Sequence, residues 1–163
     1  ARPLADPTRP LDERHPMPRF THTETVAAAP SAIWAILADV RRTPEWLARC
    51  TQLDTVDDSP LVVGSRLKYH YREGNRTGVM DGAVEVYEPE RRLTNRFTDK
   101  MMDVTVDFAM SAGAAAATTD LTHTIVITPK GLLGRLLSPL IAKQLPGQTM
   151  AAMKSLKVLA EQG

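Results

Sequence analysis

Hydrophobic and polar residues alternate along several short segments in the middle of the chain. The alternation is clear over residues 66–71, 84–87 and 104–110, with Val84 and Val86 on the apolar side of the second segment. A period of two is typical of strands that pack one face on a core and expose the other. Five or six such segments follow one another, separated by short stretches rich in Gly, Pro, Asp and Asn. This spacing predicts an antiparallel meander.

Two short helices are predicted between a first strand and the meander. A run rich in β-forming residues begins at Phe20 and ends at three alanines followed by Pro30, a residue suited to the first helical turn. Apolar residues then recur at helical spacing through Val40. Thr43 and the proline after it provide a cap and a first turn for a second helix that carries Trp46.

A long helix is predicted at the C-terminal end, from Gly131 to about Ala160. Leucine and methionine residues recur on one of its faces. Pro146, followed by Gly147, is expected to kink or break this helix, because proline removes a backbone donor and clashes with the preceding turn.

These elements define an α+β fold class. A strand, two short helices, a meander and a terminal helix bury their apolar faces if the sheet curls around the last helix. We therefore predict a curved antiparallel sheet of six to seven strands, wrapped on the long C-terminal helix, with two short helices after strand one. Leucine and methionine side chains on the inner faces would line an adaptable apolar cavity.

Composition and charge narrow the classes of function. The 20 basic and 19 acidic residues leave a formal charge of +1 and form no basic cluster, so nucleic-acid binding is not predicted. Cys50 is the single cysteine, which excludes an internal disulfide and fits a reducing cytoplasm. No zinc spacing, phosphate-binding loop or nucleophile motif is present, and no apolar run approaches the roughly 20 residues of a transmembrane helix. We expect a cytoplasmic protein without metal, cofactor or membrane span.

The first 18 residues differ from the rest of the chain. They contain five prolines among Arg and Asp residues, which predicts a flexible Pro-rich tail over residues 1–18. Residues 19–163 are predicted to form a single ligand-binding domain, since 43% hydrophobic content in 163 residues supports one core. The sequence leaves open whether the protein is a monomer or a homodimer.

Several segments resemble those of one superfamily. They are residues 26–39, 44–46, 63–66, 87–93 and 129–134. Spread over residues 20–161, they resemble the SRPBCC superfamily, which includes START-like lipid-transfer domains, plant ligand carriers and the bacterial polyketide cyclase/dehydrase group. The resemblance implies a helix-grip fold that binds a hydrophobic small molecule. The usual Gly-Thr turn before the last strand is replaced by residues 116–119, and the shared motifs are mainly scaffold, so no mechanism transfers with them.

Three ionisable residues are candidates for proton transfer inside such a cavity. If Val26 faces inward, strand periodicity places Glu24 and His22 on the same face. Burial raises the pKa of a carboxylate unless a partner such as His22 pairs with it, and such a pair could move protons near neutral pH. His123 shares a face with Ile125 and is the third candidate. The alternatives are a solvated sheet edge for the first two and a hydrogen-bonded core position for His123.

A further set of residues is predicted to line the cavity. Tyr69 and Tyr71 would direct hydroxyls at a ligand carbonyl or phenol, and Asn95 would orient a polar group, although each could instead pack in the wall. Trp34 is most simply a core anchor. The predicted ligand-binding residues are Trp34, Tyr69, Tyr71, Met80, Asn95, Phe97, Phe108, Met110, Leu136 and Leu140.

Three functions are consistent with this sequence. The first is binding of a hydrophobic small molecule such as a polyketide, a lipid or an aromatic metabolite. The second is a cofactor-free polyketide cyclase or dehydratase, in which His22, Glu24, His123 or a tyrosine transfers a proton. The third is a protein-interaction role, which requires an exposed apolar patch, and the sequence shows no distinctive surface stripe of that kind.

Overall fold

The computed structural model describes residues 18–163. The predicted tail over residues 1–18 therefore lies outside the described residues, except for Pro18. The helices are α1 (Pro30–Leu37), a 3₁₀ helix (Val40–Glu45) and α2 (Gly131–Gln162). The strands are β1 (Arg19–Val26), β2 (Cys50–Thr55), β3 (Arg66–Glu73), β4 (Arg76–Glu88), β5 (Arg92–Thr98), β6 (Met102–Ala112) and β7 (Thr119–Pro129).

The strands form one antiparallel sheet in the order β1-β7-β6-β5-β4-β3-β2. Strand β1 crosses over to pair with β7, and the other pairs are sequential hairpins. The helix α2 packs its apolar face on the inner side of the sheet, where Met153 and Leu156 are fully buried. This arrangement is the predicted helix-grip fold, and the prediction of six to seven strands is confirmed.

The two short helices also follow the predicted order. Pro30 occupies the first turn of α1, and Ile33 and Leu37 are buried. The second helix is a 3₁₀ helix, in which Pro44 removes one backbone donor and only a single short stretch of tight turns forms. This helix follows Asp39 and ends before Trp46, so the predicted start at a Thr43 cap and the predicted place of Trp46 on the helix are wrong. The Trp46 backbone N–H instead donates to the Thr43 carbonyl oxygen.

One predicted alternation is wrong in β4. The register shifts between Val84 and Val86, so that Tyr87 lies opposite Leu93. Because one extra residue is inserted, the bulge reverses the faces beyond it, with Val86 on the outer face and Tyr87 on the inner one. The Tyr87 ring packs edge-on against Trp34, with ring centroids 5.2 Å apart.

The predicted break in the C-terminal helix does not occur. The helix α2 runs through Pro139 and Pro146 to Gln162 as one element. Leu145 and Thr149, on either side of Pro146, are 2% and 4% exposed. Their packing on the domain offsets the backbone hydrogen bond that Pro146 cannot make.

Candidate ligand-binding cavity

A cavity of about 210 Å³, open to solvent at its rim, lies between the sheet and the N-terminal half of α2. This volume is many times the roughly 15 Å³ that a single water needs, so the space can hold an organic molecule. Side chains from β3 to β7 form its floor, and residues 137–148 of α2 form its roof. Residues 37–49, from the end of α1 to the turn before β2, form one wall.

Aromatic side chains are concentrated around this cavity. The chain has eight Phe, Trp and Tyr residues, and five of them line it. Tyr69 lies at the centre of the group, with its ring centroid 5.8 Å from Tyr71 and 5.4 Å from Phe97. Trp46 packs edge-on against Phe108 at 5.7 Å. Flat rings of this kind favour a ligand that is itself flat and apolar.

Two glycines of β4 make room for these rings. A Cβ atom at Gly78 would collide with the ring of Tyr71, and one at Gly82 would collide with the ring of Phe97. Since both glycines lack a side chain, the rings lie directly against the β4 backbone and leave the cavity open above them. Sequence reasoning missed this role, although two glycines four residues apart in a strand pattern are a usable signal.

Three buried polar atoms of the cavity wall have no hydrogen-bond partner within the described part of the chain. They are Trp46 Nε1, Arg49 Nε and Asn95 Oδ1, and all three residues line the cavity. Trp46 and Asn95 are only 8% and 6% exposed. Buried polar atoms are normally paired with protein groups or ordered water, so these three have unused hydrogen-bonding capacity beside the cavity.

The charged side chains at the cavity balance one another. The lining contains two cations, Arg49 and Arg76, and two anions, Glu73 and Asp99. Arg49 Nη1 donates to Gln148 Oε1 at 2.6 Å and lies 4.0 Å from Glu73 Oε1. With no net charge in its wall, the cavity favours a neutral ligand over an ionised one.

Both cavity tyrosines are protonated at neutral pH. Burial raises the pKa of the Tyr69 phenol to about 12, against a smaller opposing effect of the Arg49 cation. Burial likewise raises the pKa of Tyr71. Their hydroxyls therefore act as hydrogen-bond donors and acceptors for a ligand. Burial also raises the pKa of Cys50 to about 11, which keeps this thiol out of nucleophilic chemistry.

The structure brings most of the predicted ligand-binding residues together. Leu136 does not line the cavity, because its side chain points away from the sheet and is 68% exposed, while Leu137 beside it faces inward. Trp34 packs on Tyr87, and Met110 lies opposite Leu121, towards the other end of β6. The predicted residues that do line the cavity are Tyr69, Tyr71, Met80, Asn95, Phe97, Phe108 and Leu140.

His22 and Glu24 form the expected pair, but not at the cavity. His22 Nε2 lies 2.7 Å from Glu24 Oε2, and the other carboxylate oxygen lies 3.8 Å from Lys157 Nζ. Lys157 belongs to the C-terminal half of α2, whereas the cavity lies under the N-terminal half. The two residues therefore join β1 to α2 at the closed end of the domain.

His123 occupies a hydrogen-bonded core position, which was the alternative to a catalytic role. Its Nδ1–H donates to the Asp107 carbonyl oxygen at 3.0 Å, since a carbonyl can only accept. Its ring stacks on Phe108 at 4.2 Å, so it lies beside a residue of the cavity wall without lining the cavity itself. Burial lowers the pKa of His123 to about 4, which makes the imidazole neutral at pH 7.

The described residues contain neither a metal-binding cluster nor a membrane-spanning helix. Within residues 18–163, no group of three or more His, Cys, Asp or Glu side chains is arranged to hold a metal ion. None of the helices in this range combines the length and the hydropathy that crossing a bilayer requires.

The fold and the cavity together define an SRPBCC-type helix-grip domain. The chain belongs to the family described as polyketide cyclase / dehydrase and lipid transport, whose model matches residues 17–161. No curated protein matched the chain in sequence.

Solved structures share the fold at low sequence identity. The Zhui aromatase/cyclase from Streptomyces sp. R1128 is 15% identical, with a TM-score of 0.75 over 90% of this chain and 94% of its own. A START superfamily protein from Mycobacterium smegmatis is 16% identical, with a TM-score of 0.71 over 88% and 97%. The di-domain aromatase/cyclase StfQ from the steffimycin biosynthetic pathway is 13% identical, with a TM-score of 0.70 over 90% and 52%.

Proposed function

We propose that this protein binds a hydrophobic small molecule, such as a polyketide, a lipid or an aromatic metabolite, in the cavity under α2. The observation that carries the proposal is an apolar cavity of about 210 Å³ whose wall holds three unpartnered polar atoms. Burial of roughly 300 Å² of ligand apolar surface is worth about 7 kcal/mol before the costs of association. Micromolar affinity requires about 8 kcal/mol net, so apolar burial alone does not reach it and hydrogen bonds to the cavity wall must add to it.

The polar atoms of the wall support a ligand that carries oxygen. Trp46 Nε1 and Arg49 Nε are donors and call for an acceptor such as a carbonyl oxygen. Asn95 Oδ1 is an acceptor and calls for a hydroxyl. The balanced charge of the wall favours a neutral ligand, and its aromatic side chains favour a flat one. A neutral ring compound with carbonyl and hydroxyl groups therefore fits better than a plain acyl chain.

Native mass spectrometry followed by organic extraction tests the proposal. The purified protein is measured for a co-purified molecule and then titrated with lipids and oxygenated aromatic compounds. Val106→Trp fills the cavity and is expected to weaken binding at least tenfold, because Val106 lines it. Val86→Trp places the same ring on the outer face and is the matched control. Equal binding by both variants would show that the ligand lies elsewhere.

A cofactor-free cyclase or dehydratase is the second candidate. The family description includes this chemistry, and the phenol of Tyr69 stands in the cavity wall close to Arg49. Because His22, Glu24 and His123 do not line the cavity, a proton-transfer role belongs more naturally to Tyr69. Tyr69→Phe would then abolish turnover of a bound poly-carbonyl substrate while leaving its binding within a few fold, and equal loss of both would restrict Tyr69 to binding.

A further inference from the structure

Four leucines on the outer side of α2 form an exposed apolar surface. Leu132, Leu133, Leu136 and Leu140 are 76%, 55%, 68% and 52% exposed. At 3.6 residues per turn they fall within about 100° of the helix circumference, and we call this surface the leucine stripe. Contiguous exposed apolar surface of this kind marks an interaction site. The expectation of no distinctive surface stripe was therefore wrong.

Basic residues accompany the leucine stripe without acidic ones. Residues 131–153 contain two basic residues, Arg135 and Lys143, and no Asp or Glu. Helical spacing places Lys143 within the angular range of the stripe and Arg135 about 60° beyond its edge. Neither cation forms a salt bridge with any residue that the structure describes. The nearest acidic groups of the cavity rim are engaged, since Glu73 accepts from Gln148 and Asp99 accepts from two backbone N–H groups.

The leucine stripe lies at the roof of the cavity. Leu140 belongs to both, because it is half exposed and also lines the cavity. Leu137 and Ile141, on the next face of the same helix, point into the cavity. A surface that covers the stripe would therefore lie directly over the roof.

We propose that the leucine stripe docks on the surface of an anionic phospholipid bilayer, with α2 lying in the plane of the interface. Leucines flanked by Lys and Arg are the composition of interfacial helices, in which the apolar face enters the acyl boundary and the cations meet anionic headgroups. A second copy of this chain fits less well, because stripe-to-stripe contact would bring Arg135 and Lys143 against their own equivalents. Docking would place the cavity roof against a reservoir of apolar molecules.

Vesicle co-sedimentation of the full chain tests this docking. We expect the protein to bind vesicles of equimolar phosphatidylcholine and phosphatidylglycerol, and to bind pure phosphatidylcholine far more weakly. The double variant Leu132→Glu, Leu136→Glu is expected to lose binding to the anionic vesicles. Val79→Glu is the matched control, because Val79 is 49% exposed on β4 and lies outside α2 altogether. It is expected to retain most of the binding.

Two further measurements test the roles of charge and of oligomeric state in this docking. The double variant Arg135→Gln, Lys143→Gln is expected to lower binding to anionic vesicles about fivefold for each charge removed. Thermal unfolding midpoints of all variants should match the wild type, since the altered side chains face solvent. The proposal is overturned if wild type does not bind anionic vesicles, or if the stripe variant binds them equally. It is also overturned if light scattering shows a dimer that the stripe variant dissociates.

Discussion

The unpartnered polar atoms of the cavity wall act at the scale of single residues. Leaving a buried donor or acceptor unpaired costs about 1–3 kcal/mol of stability. Under the proposed function, a ligand with matching polar groups would remove that cost, so the same atoms would also contribute to specificity. Asn95 is the simplest of them to test, because it lies in the middle of β5 and is 6% exposed.

Asn95→Leu is expected to raise the stability of the protein and to lower its affinity for the ligand. The substitution keeps the size of the side chain and removes the unpaired Oδ1, so the free energy of unfolding should rise by about 1 kcal/mol. Affinity for a ligand with a hydroxyl group should fall roughly tenfold, as one hydrogen bond in a buried site is lost. Urea denaturation and ligand titration measure the two effects. Lower stability with unchanged affinity would make Asn95 a structural residue.

His123 gives a pH dependence of known sign. Its pKa is about 4 in the folded protein and about 6.5 in an unfolded chain. Between these values the unfolded state binds more protons, so stability falls as pH is lowered from 6.5 to 4 and is fully present above that window. The loss amounts to about 3 kcal/mol for a shift of this size. Denaturation across this range should show it, and His123→Gln should flatten the profile; an unchanged profile would contradict the assignment.

Strand periodicity explains which residues of the site were predictable. Tyr69, Tyr71, Phe97 and Phe108 share the inner face because every second side chain of a strand does. His22 also faces inward, but periodicity carries no information on where along the sheet the cavity lies. Arg49 belongs to no periodic segment, since it comes between a 3₁₀ helix and β2, and its contact with Gln148 joins residues 99 positions apart. Contacts of that range were not accessible from one sequence.

At the scale of elements, α2 has two halves with different tasks. Its C-terminal half is packed on the sheet through Met153 and Leu156, and the Lys157–Glu24 ion pair joins it to β1. Its N-terminal half covers the cavity, and it approaches the turn between β5 and β6 so closely that a Cβ at Gly134 would collide with the Met101 carbonyl oxygen. The C-terminal half is an anchor and the N-terminal half is a roof.

Adjacent leucines of the roof provide a matched pair. Leu137 lines the cavity, whereas Leu136 points to solvent. Leu137→Ala removes three carbon groups of a half-buried side chain from the cavity lining, so binding is expected to weaken roughly tenfold. Leu136→Ala should leave affinity in solution unchanged. Isothermal titration of both variants measures this, and equal effects would mean that the roof is not where the ligand lies.

The β4 glycines offer a test of how the cavity is made. Gly82→Ala would push the Phe97 ring into the cavity, so ligand affinity should fall several fold and stability by about 1–3 kcal/mol. Gly147→Ala is the control, because a Cβ atom there would have no neighbour within 4 Å and alanine favours a helix by about 1 kcal/mol. It should raise the melting temperature without altering affinity. Unchanged affinity in Gly82→Ala would contradict the role assigned to β4.

Element order was predictable, while two local features were not. Turn residues and periodicity located the strands because each signal acts within a few residues. The bulge between Val84 and Val86 depends on pairing with β5, which one strand's sequence does not reveal. Pro146 alone predicts a break in α2, but burial of Leu145 and Thr149 outweighs one missing hydrogen bond. Tertiary packing decided both cases.

For the whole molecule, the domain has a packed end and a hollow end. The His22–Glu24–Lys157 cluster and the buried C-terminal half of α2 close one end, and the aromatic cavity occupies the other. Membership of the family accounts for this architecture. Under the proposed function, the residues of the cavity wall determine which ligand binds. The cytoplasmic location, the absence of nucleic-acid binding and the choice between monomer and homodimer stay predictions.

The two tryptophans allow the most direct measurement of the central claim. Trp46 lines the cavity with an unpaired Nε1–H, while Trp34 packs on Tyr87 outside it. Their two indole N–H signals, assigned with Trp34→Phe, are followed in a proton–nitrogen correlation spectrum during titration with a neutral oxygenated aromatic compound. The account predicts that the Trp46 signal moves to saturation while the Trp34 signal stays in place. Movement of Trp34 alone, or of neither signal at saturating ligand, would contradict binding in this cavity.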